Sequence, residues 1–392
     1  MDNIKIAIVT FFHTEASLCL AKYIAKQGVR VDCYIIADIH HDKGSMPGVD
    51  YRRAPRVPGI VKLTLKTAPE LVSDSQGIPV NYFIIRLMSF STSFEFFNKI
   101  ILRRVIKRIK SQGYDAIDIV GQWPLISLLH TGLKGENITH TFHEIGNHQT
   151  NEPSTPLLDL VIKDRSKVIL LSQATKERFE NIPGAKACPS IITPMGCFYT
   201  LLLYQKDLQL ETGLDLRKPT FLFYGYLRSY KGLDMFERAC RKLEDIENEF
   251  NIIIAGAGHD SSLAFFRSRN NCFVLNRFLS DSEMLYLNKI SHVVVLPYKT
   301  ASQSGIIPTS FMFGNPIIAT NVGALAEPIT NGINGYVVAP DDEAQFASAM
   351  RKVIENPKIL EELRHGASQF GHGDMYDWNI IARNTIDFLM QK

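Results

Sequence analysis

Two cations share a glycine-bearing turn in Tyr224-Gly225-Tyr226-Leu227-Arg228-Ser229-Tyr230-Lys231-Gly232-Leu233-Asp234, between an apolar run and a helical pattern. Glycines there let the backbone approach a ligand, and a helix start offers free amides. Arg228 and Lys231 add positive charge, a combination suited to a diphosphate; a solvated strand-to-helix turn with two surface cations has the same residues. A second run, Leu296-Pro297-Tyr298-Lys299-Thr300-Ala301-Ser302-Gln303-Ser304-Gly305-Ile306-Ile307-Pro308, also leaves an apolar segment for a helix. The hydroxyls of Ser302 and Ser304 and the local amides could cradle phosphate oxygens, or simply cap the helix.

A third grouping is electrostatic. Within Lys99 to Lys110 the cations Lys99, Arg103, Arg104, Lys107, Arg108 and Lys110 share one helical face, and Ile101, Leu102, Val105, Ile106 and Ile109 share the other, with no acid among them. Such a field favours anionic lipid headgroups, and Phe83 to Met88 with Phe96 and Phe97 add apolar surface upstream. The bland alternative is a helix packed on a sheet with a solvated basic face. Nucleic acid is not expected, because no aromatic stacking positions are interleaved with these cations.

Positioning these groups requires strands and helices in alternation. Ile4 to Val9, a helix over Ala16 to Gln27 stopped by Gly28, and Val29 to Ile36 form a βαβ unit, continued by strands at 116–120, 139–142 and 167–171. The pattern resets between 195 and 218. It then repeats with strands at 220–225, 251–255, 272–275, 292–296, 316–319 and 335–338. Short apolar strands separated by helices predict parallel sheets covered on both faces. The fold class is therefore α/β, with two Rossmann-like domains in tandem and ligands at the carboxyl ends of their strands.

Read with Asn315-Pro316-Ile317-Ile318-Ala319-Thr320-Asn321-Val322-Gly323-Ala324-Leu325-Ala326-Glu327-Pro328-Ile329 and the pair Gly256 and Gly258, the second half resembles the nucleotide-sugar-binding domain of glycosyltransferase family 4, over roughly residues 219–355. The resemblance implies a GT-B fold: an N-terminal acceptor-side domain (1–198) and a C-terminal donor domain (199–374) facing each other across a cleft, with a C-terminal helix (375–392) anchored by Trp378 crossing back to the first. It implies that Arg228 and Lys231 hold the donor diphosphate and that Ser304, Gly305 and the amide of Ile306 bind the same phosphates. Arg277 and Phe278 then lie in the base-binding loop, and Gly225 and Gly256 allow close approach. The family's paired glutamates, seven residues apart, fall at Ala301 and Thr309, so Gln303 or Thr309 would supply a neutral hydrogen bond instead. In the first half, Thr141-Phe142-His143-Glu144 resembles the family's His-Asp segment. It places His143 at the transferred sugar or in orienting the acceptor, with Glu144 on the acceptor side; His13, after the first strand where the family often has a glycine-rich loop that this chain lacks, is a second acceptor-side candidate.

The implied activity is transfer of a sugar from a nucleotide diphosphate sugar to an acceptor hydroxyl. The resemblance alone implies retention, and no cofactor or metal is expected. Suitable acceptors are glycans or lipid-linked glycans of bacterial surface polysaccharide or glycolipid assembly. A nucleotide-sugar epimerase or a non-catalytic sugar-nucleotide-binding scaffold could use the same phosphate site. Composition agrees with a soluble enzyme: 392 residues, 45% hydrophobic, 21% charged, formal charge +3. Six dispersed cysteines form no metal or disulfide framework. With no signal-like start and no spanning apolar run, a cytoplasmic location is expected, peripheral on the inner membrane face if the basic helix binds lipid.

Overall fold

A computed structural model describes residues 4–11, 14–38, 55–63, 80–145, 155–197 and 208–391. The chain divides into two compact units, Met1–Gly196 with Asp377–Lys392, and Cys197–Tyr376.

In the first unit, β1 (Lys5–Phe11), β2 (Arg30–Asp38), β3 (Gly59–Lys62), β4 (Asn81–Leu87), β5 (Ala116–Val120), β6 (Ile138–Phe142), β7 (Lys167–Leu170) and β8 (Ser190–Ile192) form one sheet. Its order is β3-β4-β2-β1-β5-β6-β7-β8, parallel except where β3 meets β4. Strand side chains alternate between faces, so Ala7, Val9, Ile117 and Ile119 pack with Leu102 and Val105 on one side, and Ile6, Ile8 and Ile35 with Leu18 and Ile24 on the other. The second face is completed by Ile386 and Leu389 of the helix Trp378–Met390. That helix starts where Asp377 caps Asn379 N–H at 2.7 Å, and the Trp378 ring stacks on Tyr23 at 6.3 Å.

The strand β4 corrects one sequence expectation. Phe83 to Leu87 do not add to a lipid-facing surface: they are buried between β2 and β3. The helix after them, Glu95–Ser111, buries Ile101, Leu102, Val105 and Ile109 as its periodicity predicts. Arg103, Arg104, Lys107 and Lys110 are exposed, and none has an ion pair among the described residues. Two of the expected outward cations behave differently. Lys99 pairs with Glu95 at 2.6 Å, and half-buried Arg108 turns back to lie 4.7 Å from the centre of the Phe83 ring.

The second unit holds β9 (Thr220–Tyr224), β10 (Asn251–Ala255), β11 (Cys272–Leu275), β12 (Val293–Leu296), β13 (Ile317–Thr320) and β14 (Gly335–Val338) in a wholly parallel sheet, β11-β10-β9-β12-β13-β14. The strand order reverses between β9 and β12. At such a switch point the connections leave in opposite directions and open a crevice at the carboxyl ends.

Candidate functional site

The two sequence runs richest in phosphate chemistry leave β9 and β12, so the fold brings them together at that switch point. Beyond the end of β9 the backbone stays on its neighbour: Gly225 N–H donates to Ala255 O at 2.9 Å and Leu227 N–H to Ala257 O at 2.8 Å. This carries Arg228 to the rim, followed by one 3-10 turn, Ser229–Lys231, and the helix Leu233–Arg241. The run after β12 is tied to this turn, with Lys299 N–H donating to Tyr230 O at 2.7 Å and the Lys299 ammonium on Asp234 at 2.8 Å.

Lys231 is the most informative side chain here. It is 8% exposed, its ammonium has no hydrogen bond or ion pair among the described residues, and it lies 5.2 Å from the centre of the Tyr298 ring. Burial pushes the ammonium below the ordinary lysine range, and the charge of Arg228 pushes it the same way. Exposed Arg228 also has no carboxylate partner among the described residues and stacks over Tyr226 at 5.9 Å. Two uncompensated cations, one of them buried, form an environment that an anion would relieve.

On the β12 side, the backbone N–H groups of Ser304 and Gly305 donate to no described residue. The Ser304 hydroxyl accepts from Ile306 N–H at 3.3 Å, ordering the turn into the helix Ile306–Met312. Thr309 is buried in that helix and its hydroxyl donates to Gly305 O at 3.0 Å, so it serves the helix first. Gln303 is half-buried on the same loop.

Arg277 and Phe278 follow β11. The Arg277 guanidinium clasps Glu283 and donates to Phe278 O at 3.1 Å, while Glu283 completes a capping box with Ser280. Arg277 thus shapes this loop. Phe278 is 46% exposed and its ring centre lies 6.2 Å from that of Tyr226, itself 53% exposed. Neither Tyr226 nor Tyr298 stands out in the sequence, because nothing local says that one faces Phe278 and the other lies under Lys231.

In the first unit, His143 is buried and Glu144 half-buried where the chain leaves β6. Gln122, leaving β5, donates to Glu144 O at 2.5 Å. His13 lies outside the described residues. Among the described residues no three His, Cys, Asp or Glu side chains converge to hold a metal ion, and no helix is long and apolar enough to cross a membrane.

The crevice at the β9–β12 switch and its unpaired cations fall inside a recognised segment. Residues 218–356 match the family described as Glycosyl transferases group 1. Over 154 residues the chain is 30% identical to the D-rhamnosyltransferase WbpZ of Pseudomonas aeruginosa, covering 38% of this chain and 39% of that protein. Over 168 residues it is 27% identical to a glycogen synthase of Mycobacterium tuberculosis, covering 42% and 40%. The chain thus spans about two fifths of the length of these curated relatives. Solved structures match almost end to end. Sucrose-phosphate synthase from Thermosynechococcus elongatus superposes with a TM-score of 0.69 at 15% identity, over 98% of both chains. Anabaena HepE, solved with UDP and glucose, gives 0.65 at 16% over 99% of both. Likeness at that identity establishes the fold, which is GT-B: two Rossmann-like units in one chain.

Proposed function

We propose that this protein is a glycosyltransferase that moves a sugar from a nucleotide diphosphate sugar to an acceptor hydroxyl, with retention and without a metal ion. The observation that carries the reading is the buried Lys231 ammonium, left without a carboxylate among the described residues at the β9–β12 switch point, where the run after β12 also brings the free amides of Ser304 and Gly305. As the bond from the anomeric carbon to the phosphate oxygen breaks, charge builds on the departing diphosphate. Groups already aimed at that charge lower the barrier without reorganising. Lys231, Arg228 and these amides fill that role. His143 and Glu144 are assigned to the sugar and acceptor side. Retention is carried over from the family resemblance, and the group 1 match over 218–356 supports the donor assignment.

The test is a panel of nucleotide diphosphate sugars screened by thermal shift, then assayed for released nucleotide with a modified acceptor. A true donor at 100 times its Kd adds about 2.7 kcal/mol of stability. Isomerised donor would replace this reading with an epimerase, and binding without turnover would replace it with a scaffold.

For the acceptor we favour a glycan or lipid-linked glycan, met at a membrane surface on the cytoplasmic side. On the helix Glu95–Ser111, Phe96 (67% exposed) shares a stripe with Arg103, Lys107 and Lys110, and Phe97 (53% exposed) lies close to the line of Arg104. The stripe is about 21 Å long. At about 1 kcal/mol per cation near an anionic surface, Arg103→Ala, Arg104→Ala and Lys107→Ala together are expected to weaken binding to phosphatidylglycerol vesicles about 100-fold at low salt. Neutral phosphatidylcholine vesicles should be unaffected, and equal vesicle binding by the triple variant and the parent refutes the lipid assignment.

A further inference from the structure

The first sheet has its own switch point, between β1 and β5: β2 and β4 lie on one side of β1, and β5 to β8 on the other. The carboxyl ends there are aromatic. Phe11 ends β1, and Trp123 follows β5 after Gly121 and Gln122, its ring stacked on Phe11 with centres 5.1 Å apart and planes 26° apart. Phe90, on the loop after β4, meets Phe11 edge-on at 5.2 Å and Trp123 at 5.4 Å. Phe11 is fully buried, whereas Trp123 and Phe90 are only half-buried.

Core closure alone would be served by any large apolar side chain. Two features point to a ligand. The indole N–H of Trp123 has no acceptor among the described residues, yet it is not sealed from solvent. The loop that carries Trp123 is also polar: Gln122, next to it in the chain, bridges the exits of β5 and β6 through Glu144 O, and Thr155 donates to Gln122 Oε1 at 3.5 Å. An apolar face with a free donor, on a loop that also carries the Gln122 amide, matches a pyranose ring, which has an apolar C–H face and a rim of hydroxyls.

We propose that Trp123 and Phe90 form the platform on which the acceptor's sugar ring stacks, so that the acceptor is a saccharide recognised by its ring. The assignment rests on the glycosyltransferase reading and specifies its acceptor. Trp123 positions the ring; it moves no proton.

The chain has two tryptophans, and Trp378 is 3% exposed, so a ligand on the platform perturbs mainly Trp123 emission. The 392-residue chain, with the nucleoside diphosphate of its donor present, is titrated with methyl glucosides, galactosides and mannosides and their disaccharides, and with farnesol as an apolar chain. Saturable change with at least one saccharide and none with farnesol is expected. By calorimetry, Trp123→Ala should weaken that saccharide at least ten-fold and leave the affinity for that nucleoside diphosphate within two-fold. Trp123→Phe, which keeps a stacking ring, should hold saccharide affinity within about three-fold and confirm that the site folds. The proposal is overturned if no saccharide changes the emission, if Trp123→Ala binds saccharide as the parent does, or if farnesol alone responds. Nucleoside diphosphates of different bases titrated by themselves separate the two readings: binding of one of them with a silent Trp123 ends only the platform, whereas binding of none ends the glycosyltransferase reading.

Discussion

Replacing Lys231 by Met is expected to lower transfer about 10²–10³-fold and at the same time to stabilise the ligand-free protein. The first effect is the loss of a preorganised cation from the leaving diphosphate, about 3–4 kcal/mol of barrier. The second follows from burial. The ammonium sits at 8% exposure with no carboxylate partner among the described residues, and its pKa is lowered chiefly by desolvation. A lysine held below its unfolded value penalises the fold while it carries its proton, and the penalty fades as pH rises through the folded value. Other buried groups, among them Lys167 and the raised thiols of Cys33 and Cys272, titrate in the same range but are common to both proteins, so the stability advantage of Lys231→Met over the ligand-free parent should narrow as pH rises between that value and the ordinary lysine range. At neutral pH the methionine, of similar length and uncharged, should add about 1 kcal/mol, or about 2–4 °C in Tm. Bound diphosphate favours the charged form, so nucleotide affinity in the parent should fall on the alkaline side. Unchanged turnover removes Lys231 from the site, and a lower Tm in the variant means the ammonium has a partner that stabilises the fold.

This site was legible in the sequence because its ingredients are local. Parallel strands buried on both faces read as continuous apolar runs, so β9 to β13 announce themselves, and the cations and glycines follow within a few residues of β9. What joins the two runs is not local. The order that seats β12 beside β9 links residues about seventy positions apart, and Lys299 finds Asp234 across 65. The first unit hid more. Phe83 to Leu87 include Arg86 and precede a basic helix, which suits a surface segment; pairing with β2, some fifty residues earlier, buries them. Burying Phe83 in turn draws Arg108 out of the row of cations. Arg277, assigned to the base, is claimed by a glutamate six residues on, a capping geometry visible only once the helix at Asp281 has formed.

Gly256→Ala should be strongly destabilising, and it acts directly on the strand pair that leads to the two cations. A Cβ there would meet Gly225 O at 1.8 Å and Gly225 C at 2.7 Å, both backbone atoms that cannot swing aside, and φ is +150°. Gly225 is fixed by its own bond to Ala255 O, so relief means opening the β9–β10 ladder at the point where the chain turns toward Arg228 and Lys231. We expect a loss of about 3 kcal/mol and about 10 °C in Tm by calorimetry. Gly213→Ala separates clash from backbone strain. Its φ is +70° but nothing lies within 4 Å of the added carbon, so only the left-handed penalty of about 1–2 kcal/mol should appear. Because the relief route displaces the turn bearing the two cations, Gly256→Ala should also weaken binding of the donor's nucleoside diphosphate at temperatures where the protein is still folded, and Gly213→Ala should not. Equal losses of stability in the two variants would mean that φ alone requires glycine at 256. Full nucleoside diphosphate affinity in folded Gly256→Ala would mean that the close approach of β10 to β9 does not set the position of Lys231.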